Sequence, residues 1–349
     1  MKICFVVRSV YSQQLNYTTT HLAYEAHQRG HEVVYTTVNS FSATHDLTVR
    51  ATVVSPGEKP FESRLEFLRS LQSGFAERQE VTLSDFDVVF LRYNPNELDG
   101  EKDKSKNPAI EFGRLLKLHG VLVLNDPTGL SKAASKMYLS SFPTEIRAKT
   151  LITRSAYKIK EFVREIKKPT ILKPLSGFGG QDVFFIKNAK EININQIIST
   201  VAKSGYVMAQ EYIPEVKNGD KRLLLLNGSP IFIGSRAAMY RRMSPKGDIR
   251  SNMHVGGKRK KVAFTKIEAQ IADLIRPKLI ADGLYFVGAD IVGNKLLEIN
   301  VFCPGGINNI NELYDINVGS AVIDDLEKKV RLISSRPQGR TSLSLIKNG

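Results

Sequence analysis

Apolar positions in the first 126 residues alternate between short β-branched runs and amphipathic stretches of helical spacing. The strand-like runs are KICFVV, HEVVYTTV, FDVVFLRY and VLVLN, and THLAYEAHQRG and IEFGRLLKLHG read as helices closed by Gly30 and Gly120. This alternation predicts βαβ units on a parallel sheet, an α/β fold. Because Arg8-Ser9-Val10-Tyr11 follows the first run in place of a glycine fingerprint, the pattern does not favour dinucleotide binding.

The turn cluster at residues 125–129 marks a boundary, after which the pattern changes. SKAASKMYL predicts a helix that carries Lys132 and Lys136 on one face. TLITR, YKIKEFVREIKK, TILKPL, a glycine-rich loop and DVFFIK then predict an α+β unit that reaches about residue 205. We therefore expect domains at residues 1–126, 127–205 and 206–333, followed by a tail at residues 334–349.

GADIVGNKLLEIN, residues 288–300, predicts a β-hairpin that turns at Gly293-Asn294. If the turn centres on Asn294, Asp290 faces Glu298 and Asn300 shares their face, whereas a loop one residue shorter turns Glu298 to the other face. Opposed like charges destabilise a sheet, so we expect a cation between them. Oxygen ligands in a partial shell suit Mg²⁺ shared with phosphates; the alternative is a solvent-facing hairpin edge with scattered polar residues.

Three further segments carry candidate chemistry. Lys173 ends an apolar strand and precedes the glycines of SGFGGQ, an arrangement that suits phosphate binding, although a plain hairpin turn also explains it. AQEYI is either a linker that reads an adenine edge or a buried strand with one exposed acid. GDKR sets Asp220 and Arg222 on one side of a strand start, as an exposed ion pair or as part of a cleft.

Lys and Arg total 50 against 35 Asp and Glu, a net charge of +15 that favours anionic partners. The densest basic segment, residues 241–261, contains no Phe, Tyr or Trp for base stacking and suits a loop that closes over a charged ligand, with a solvated basic loop as the alternative. Cys4 and Cys303 lie far apart and show neither disulfide nor metal spacing. No signal peptide or 18-residue apolar run is found, so we expect a cytoplasmic protein without membrane association.

Read in order, Lys136, the Lys173 loop, QEYI, GDKR, RSN, GAD and LEIN form one series that resembles the ATP-grasp ligases. NDPTGLSKAASK, ILKPLSGFGG, MAQEYIPEVKNGDKR and FVGADIVGNKLLEIN are most similar to prokaryotic glutathione synthetase. The resemblance covers about residues 120–330. It implies an ATP-grasp fold after an N-terminal α/β (pre-ATP-grasp) domain, with residues 127–205 as the lid subdomain and residues 206–333 as the subdomain that holds the metal.

The resemblance also implies a role for each motif residue. ATP phosphates would contact Lys136 and Lys173, and the remaining nucleotide-binding residues would be the lid residues Gly177, Phe178, Gly179 and Gly180, the adenine-binding residues Gln210, Glu211, Tyr212 and Ile213, the ribose-binding Asp220, and Ser251 and Asn252. Mg²⁺, or alternatively Mn²⁺, would be held by Asp290, Glu298 and Asn300. The catalytic arginines would be Arg222, Arg242 and Arg250, with Arg236 as the alternative to Arg242.

The implied reaction phosphorylates a carboxylate with ATP and then forms a peptide bond from the acyl phosphate. Glutathione synthetase would join γ-glutamylcysteine to glycine. The chain departs from that family after Asn300, where Val301 to Gly306 reads VFCPGG in place of the family's VTSPT, and RSN followed by MHVGG resembles the ribosomal-protein glutamate ligases. A peptide or amino-acid ligase with another acceptor is therefore the second hypothesis, and a nucleotide-sensing protein that binds nucleic acid is the third. Such relatives are commonly homo-oligomers.

Overall fold

A mostly parallel sheet forms the N-terminal part of the chain in the computed structural model, which describes residues 1–74, 76–95, 107–175, 182–203, 205–243 and 258–335. Within those ranges its strands are β1 (Lys2–Val7), β2 (Glu32–Thr37), β3 (Phe41–Ala43), β4 (Val49–Ser55), β5 (Glu77–Thr82), β6 (Val88–Leu91) and β7 (Leu122–Leu124). The order is β3-β4-β2-β1-β6-β7, with β5 also paired to β4. The strands β2, β1, β6 and β7 run parallel, as the sequence predicts.

Helices cover this sheet and explain why its central strands are apolar at every position. They are α1 (Thr18–Gln28), α2 (Arg64–Gln72) and α3 (Pro108–Leu118), with 3-10 turns at Val38–Ser40 and Leu83–Asp85. All of β1 after Lys2 is buried, the pattern of a parallel strand that is covered on both faces. The antiparallel β3, β4 and β5 at one side were not separated by the sequence pattern.

The predicted helix through SKAASKMYL is wrong, because two short helical segments take its place. Helix α4 (Pro127–Lys132) starts where the Asp126 carboxylate accepts the Thr128 and Gly129 amides, and a 3-10 helix spans Lys136–Ser141. The break turns Lys132 outward to Asp282, at 2.7 Å, whereas the backbone N–H of Lys136 donates to the Leu175 carbonyl. The two lysines therefore do not share one helix face.

The middle of the chain forms an antiparallel sheet with its own apolar core. Among the residues described, its strands are β8 (Thr150–Thr153), β9 (Thr170–Pro174), β10 (Phe184–Ile186) and β11 (Val207–Glu211), in the order β10-β9-β11-β8. Helices α5 (Ala156–Ile166) and α6 (Ile194–Ala202) pack their buried faces on it, and a 3-10 turn lies at Thr144–Ile146. This sheet holds Lys173 on β9 and Gln210 on β11.

The third sheet is antiparallel and carries the predicted hairpin. Its strands in the described ranges are β12 (Asp220–Leu226), β13 (Ser229–Pro230), β16 (Met239–Met243), β17 (Lys258–Lys260), β18 (Phe286–Val292) and β19 (Lys295–Asn300), beside a small pair of β14 (Phe232–Ile233) and β15 (Arg236–Ala237). A 3-10 turn at Pro214–Asn218 and helices α7 (Lys266–Ala281), α8 (Ile307–Tyr314) and α9 (Val318–Ser334) complete the fold. The mixed α/β architecture predicted from the sequence is thus confirmed.

Two further points concern the C-terminal segment and membrane-spanning helices. Helix α9 extends through Ser334, and the predicted tail from residue 336 onward lies outside the described residues. Over the ranges that the structure describes, we find no helix that combines the length and the apolar character needed to cross a membrane.

Candidate active site

The β18–β19 hairpin sets the two predicted acids directly opposite each other, by a route that differs from the one predicted. Its loop is the two residues Gly293-Asn294, since Val292 pairs with Lys295. Such a loop alone turns Glu298 to the other face, but an irregularity in the ladder next to Asp290 shifts the pairing by one residue. The shift restores the pairs Asp290 with Glu298 and Gly288 with Asn300.

Two arginines bind the Asp290 carboxylate. Arg222, the partner of Asp290 across β12 and β18, donates through Nε to Oδ1 and through Nη2 to Oδ2, the latter at 2.8 Å. Arg242 Nη2 lies 2.7 Å from Asp290 Oδ2, and Asn300 Nδ2 donates to the same oxygen at 3.2 Å. Burial alone raises the pKa of Asp290, but the charges of Arg222 and Arg242 outweigh it and hold that pKa below its usual value.

Asp220 is part of the same buried cluster. Its carboxylate accepts from Arg242 Nε at 2.9 Å and from Nη2, and only 2% of Asp220 is exposed. The preceding Gly219 has φ +80 and permits this approach, because a Cβ there would lie 2.1 Å from the Arg242 carbonyl oxygen. Asp220 is not among the residues that line the pocket described next.

A pocket of about 130 Å³ separates the hairpin from the middle sheet and contains the predicted lysines. Lys136, Lys173, Glu298 and Asn300 all line it, and Asn94 and Cys303 form part of its wall. Burial lowers the pKa of Lys173 to about 8 and also lowers that of Lys136, while the Glu298 carboxylate opposes both shifts. Two half-buried cations thus face one carboxylate, an arrangement that favours an anionic ligand.

The predicted adenine segment lies at the end of β11. Gln210 accepts from Lys173 Nζ at 3.0 Å and donates to Thr150 Oγ1 at 3.2 Å, so it links this segment to the pocket. The Glu211 carboxylate pairs with Lys168. The Tyr212 ring lies edge-on to Phe185, with centroids 5.0 Å apart, and Ile213 follows half-buried.

Several predicted residues are outside the part of the chain that the structure describes. These are Gly177, Phe178, Gly179, Gly180, Arg250, Ser251 and Asn252. Arg236, the alternative to Arg242, is exposed and lies over the Tyr314 ring at 5.8 Å, whereas Arg242 is buried beside Asp290. Of these two, Arg242 is the arginine at the predicted metal ligands.

The sequence interpretation missed two residues that shape this region. Arg92 follows β6 directly, and the ends of parallel strands are where ligands bind in α/β sheets, a signal that was available. Asn125 follows β7 and hydrogen-bonds the backbone of Phe286 in β18 and of Val301, the residue after β19. Nothing in the local sequence distinguishes Asn125 from an ordinary turn residue.

Comparisons with known families match almost the whole chain. The family model "Prokaryotic glutathione synthetase, N-terminal domain" matches residues 1–131. The model "Prokaryotic glutathione synthetase, ATP-grasp domain" matches residues 135–315. These two descriptions correspond to the resemblance found in the sequence.

Individual relatives agree with the family models. Glutathione synthetase of Vibrio cholerae is 34% identical over 312 residues, which cover 88% of this chain and 91% of that protein. The Thermosynechococcus vestitus glutathione synthetase is 40% identical over 248 residues, 69% of this chain and 72% of its own length.

Solved structures show the same fold at lower sequence identity. D-cycloserine synthetase DcsG has a TM-score of 0.61 at 14% identity, with 93% of this chain and 99% of that chain covered. The ATP-grasp ligase PsnB, in a complex with a minimal precursor, Mg and ADP, has a TM-score of 0.55 at 16% identity, over 94% and 98%. With its matched sequence, its fold and its pocket, the chain belongs to the prokaryotic glutathione synthetase family and is an ATP-grasp ligase.

Proposed function

We propose that the pocket binds the phosphates of ATP between Lys136 and Lys173, and that the chain joins γ-glutamylcysteine to glycine. The observation that supports this most is the pair of half-buried lysines opposite Glu298. Burial disfavours their charged forms, and a polyphosphate brought between them stabilises those charged forms by direct attraction. The nucleotide would then extend past Lys173 to Gln210, Glu211, Tyr212 and Ile213.

The residues at the hairpin fit Mg²⁺. Glu298 lines the pocket with a carboxylate that forms no ion pair with any described residue. Asn300 uses Nδ2 for Asp290, which leaves Oδ1 for a cation. Oδ1 of Asp290 accepts a hydrogen bond from Arg222 and from no other described residue, which leaves one lone pair. Because these oxygens fill only part of an octahedron, phosphate and water would supply the rest, as Mg²⁺ prefers.

When bound, the metal would neutralise phosphate charge and orient the triphosphate. Asp290, Glu298 and Asn300 would hold it, and Mn²⁺ would fit the same oxygen donors.

Arg222 contacts both a predicted metal ligand and the segment that follows Asn300. It binds Asp290, and its Nη1 also donates to the Gly305 carbonyl at 3.3 Å, in the segment that departs from the family pattern. In the first step an acceptor carboxylate oxygen attacks the γ-phosphorus, and ADP leaves. In the second step the amine attacks the acyl carbon, loses a proton, and phosphate leaves. Both steps build negative charge, which fixed, buried guanidinium groups stabilise.

The contacts of Asp220 favour a role that differs from the ribose-binding role that the sequence resemblance implies. Asp220 is buried on Arg242, so we assign it to fixing that arginine, and ribose contact would require the carboxylate to exchange partners. Arg222 and Arg242 are then the described catalytic arginines. Arg250, Ser251, Asn252 and the lid glycines retain the roles that the sequence resemblance implies.

Product analysis tests the acceptor. Purified protein with ATP, Mg²⁺, γ-glutamylcysteine and glycine should release ADP and form one product with the mass of glutathione. If a panel of other dipeptides and peptides releases ADP while γ-glutamylcysteine does not, the acceptor assignment fails, and the second hypothesis from the sequence takes its place. We also propose that the chain forms a homo-oligomer, as the sequence resemblance implies, and gel filtration with light scattering on the same sample would test this.

A further inference from the structure

Cys303 places a thiol on the wall of the active-site pocket. It is exposed, follows Val301-Phe302, and lines the same cavity as Lys173, Glu298 and Asn300. The other cysteine, Cys4, is fully buried in β1, and burial raises the pKa of its thiol far above the usual value. The chain therefore offers one accessible thiol and one inert thiol for direct comparison.

A buried cation lies next to this thiol. Arg92 is only 5% exposed. Its Nε donates to Thr19 Oγ1 at 3.2 Å, and its Nη2 donates to the carbonyl of Pro304, the residue after Cys303, at 3.0 Å. Among the described residues, the buried Nη1 group has no hydrogen-bond partner and no carboxylate forms an ion pair with Arg92.

Two aromatic rings also lie beside Arg92. Its guanidinium lies 5.5 Å from the ring centroids of both Phe90 and Phe286. Burial lowers the pKa of Arg92 to about 10, and a thiolate at Cys303 would be the largest effect that opposes this shift. Burying a guanidinium costs free energy when no acid pairs with it, so Arg92, which pairs with no carboxylate in the described ranges, attracts an anion.

We propose that Cys303 is a modification site that reacts with disulfides of small acidic peptides, whose carboxylates the adjacent Arg92 attracts. A peptide attached at Cys303 would fill the pocket wall beside Asn94 and Asn300 and exclude the acceptor. The consequence for turnover rests on the proposed function, whereas the attachment itself does not. The acidic disulfide that corresponds to the proposed product, oxidised glutathione, is the natural probe.

The step is a thiol–disulfide exchange. The Cys303 thiolate attacks one sulfur of the disulfide, the new Sγ–S bond forms as the old S–S bond breaks, and the other half leaves as a thiolate that takes up a proton. Cys303 is oxidised to one half of a mixed disulfide, and one half of the added disulfide is reduced to a thiol. Dithiothreitol reverses the reaction by the same chemistry.

Incubation of the native protein with oxidised glutathione, followed by intact and peptide mass spectrometry, tests the attachment. We expect one added glutathionyl group, on Cys303 and not on Cys4, and none on the Cys303→Ser variant. Cystamine, a disulfide that carries amines in place of carboxylates, should react more slowly, and the difference should shrink at high salt because screening weakens the attraction of Arg92. Equal rates for both disulfides, or no adduct at Cys303, would overturn the proposal.

The effect on turnover is measured on the same samples. ADP release should fall in proportion to the labelled fraction and recover with dithiothreitol, and the Cys303→Ser protein should keep its own untreated rate in oxidised glutathione. Full labelling without loss of activity would refute the exclusion of the acceptor while leaving the modification site established. If the acceptor proves not to be γ-glutamylcysteine, the mass measurement is unaffected, so the two proposals fail separately.

Discussion

At the level of single residues, the sequence correctly predicts that two acids of the hairpin face each other, but it does not predict which cationic side chains bind them. The sequence predicts that Asp290 and Glu298 face each other and require a cation between them. The structure supplies part of that charge from the protein, because Arg222 and Arg242 both bind Asp290. The pairing of Arg222 with Asp290 depends on β12 lying beside β18, an order of strands that residue spacing does not determine.

Because the arginines bind Asp290 and not Glu298, we expect substitutions of these two acids to have different effects on stability. Asp290→Asn should lower the free energy of unfolding by about 3 to 5 kcal/mol, because it leaves buried guanidinium groups without their carboxylate. Glu298→Gln should change it by less than about 1 kcal/mol, since Glu298 is half-buried and pairs with no described residue. Both variants should lose ligase turnover by orders of magnitude. Urea unfolding and ADP release measure the two quantities, and equal destabilisation would contradict the role of Asp290 as the arginine partner.

Lys173 predicts a pH dependence of nucleotide affinity. Its pKa in the protein is about 8, lowered mainly by burial, so the lysine loses its proton as the pH rises through 8, and phosphate binding then weakens. Between pH 7 and 9 we expect the ATP dissociation constant to rise, with proton uptake on binding at the upper end. Lys173→Met should weaken binding about tenfold or more and remove most of this dependence.

Calorimetric titration of ATP at several pH values measures the effect. Lys158→Met is the matched control, since Lys158 is an exposed lysine on α5, which packs on the sheet that holds Lys173. If the Lys173→Met variant retained the full pH dependence, another group would be responsible for it.

At the level of elements, sequence periodicity correctly predicts most strands and helices, and the predictions fail where the chain is locally irregular. The prediction that the two acids of the hairpin face each other is confirmed, although the loop is one residue shorter than the predicted one. The register shift beside Asp290 compensates for the shorter loop. The helix predicted through Lys136 breaks instead, since the backbone N–H of that residue donates to the carbonyl of Leu175, which follows β9. Both features depend on tertiary contacts, which alternation of polar and apolar residues does not encode.

Asn125 holds the hairpin to the N-terminal sheet and predicts a stability effect. Its side chain donates to the Phe286 and Val301 carbonyls, at 2.9 and 2.6 Å, and accepts from the Phe286 amide at 2.7 Å. Asn125→Ala would leave these buried groups unpaired and should lower the free energy of unfolding by about 2 to 4 kcal/mol. The Phe286 amide should also lose protection from hydrogen exchange.

Asn317→Ala provides the comparison for Asn125. Asn317 caps α9 at the surface by accepting from the Ser320 amide, and loss of such a cap costs about 1 kcal/mol. Urea unfolding of both variants, with hydrogen exchange read at Phe286, distinguishes the two sites. A similar loss in both would show that the Asn125 contacts add nothing beyond an ordinary cap.

At the level of the whole molecule, the fold class followed from the alternation of segments, and the family followed from a series of motifs in order. The relative placement of the three sheets could not be predicted in this way, because it rests on contacts between distant residues. Asp282 is an example: it ends α7 and is bound by Lys132, Lys278 and Tyr138 from three segments. Asp282, Glu268 and Asp290 thus connect elements that are far apart in sequence.

These buried carboxylates predict how stability depends on pH. Burial raises the pKa of each acid, but the cationic and hydrogen-bond partners outweigh it, so the folded-state pKa values of Asp282, Glu268 and Asp290 lie below their usual values. A depressed pKa contributes stability that is complete above the unfolded-state pKa, about 4, and is lost as the pH falls through the folded-state value. The free energy of unfolding should therefore be level near neutral pH and decrease below about pH 4, with proton uptake on unfolding.

Asp282→Asn tests this linkage with Asp273→Asn as its control. Asp273 is exposed on the same helix, so its replacement should leave both the neutral stability and the acid slope nearly unchanged. Asp282→Asn removes the acceptor of two lysines and a tyrosine, so it should lower stability near pH 7 and flatten the decrease below pH 4. Urea midpoints measured from pH 7 to pH 3 give both quantities. An unchanged acid slope in Asp282→Asn would mean that the other two buried acids, Glu268 and Asp290, carry the linkage, because the protonation of Asp282 would then have no effect on folding.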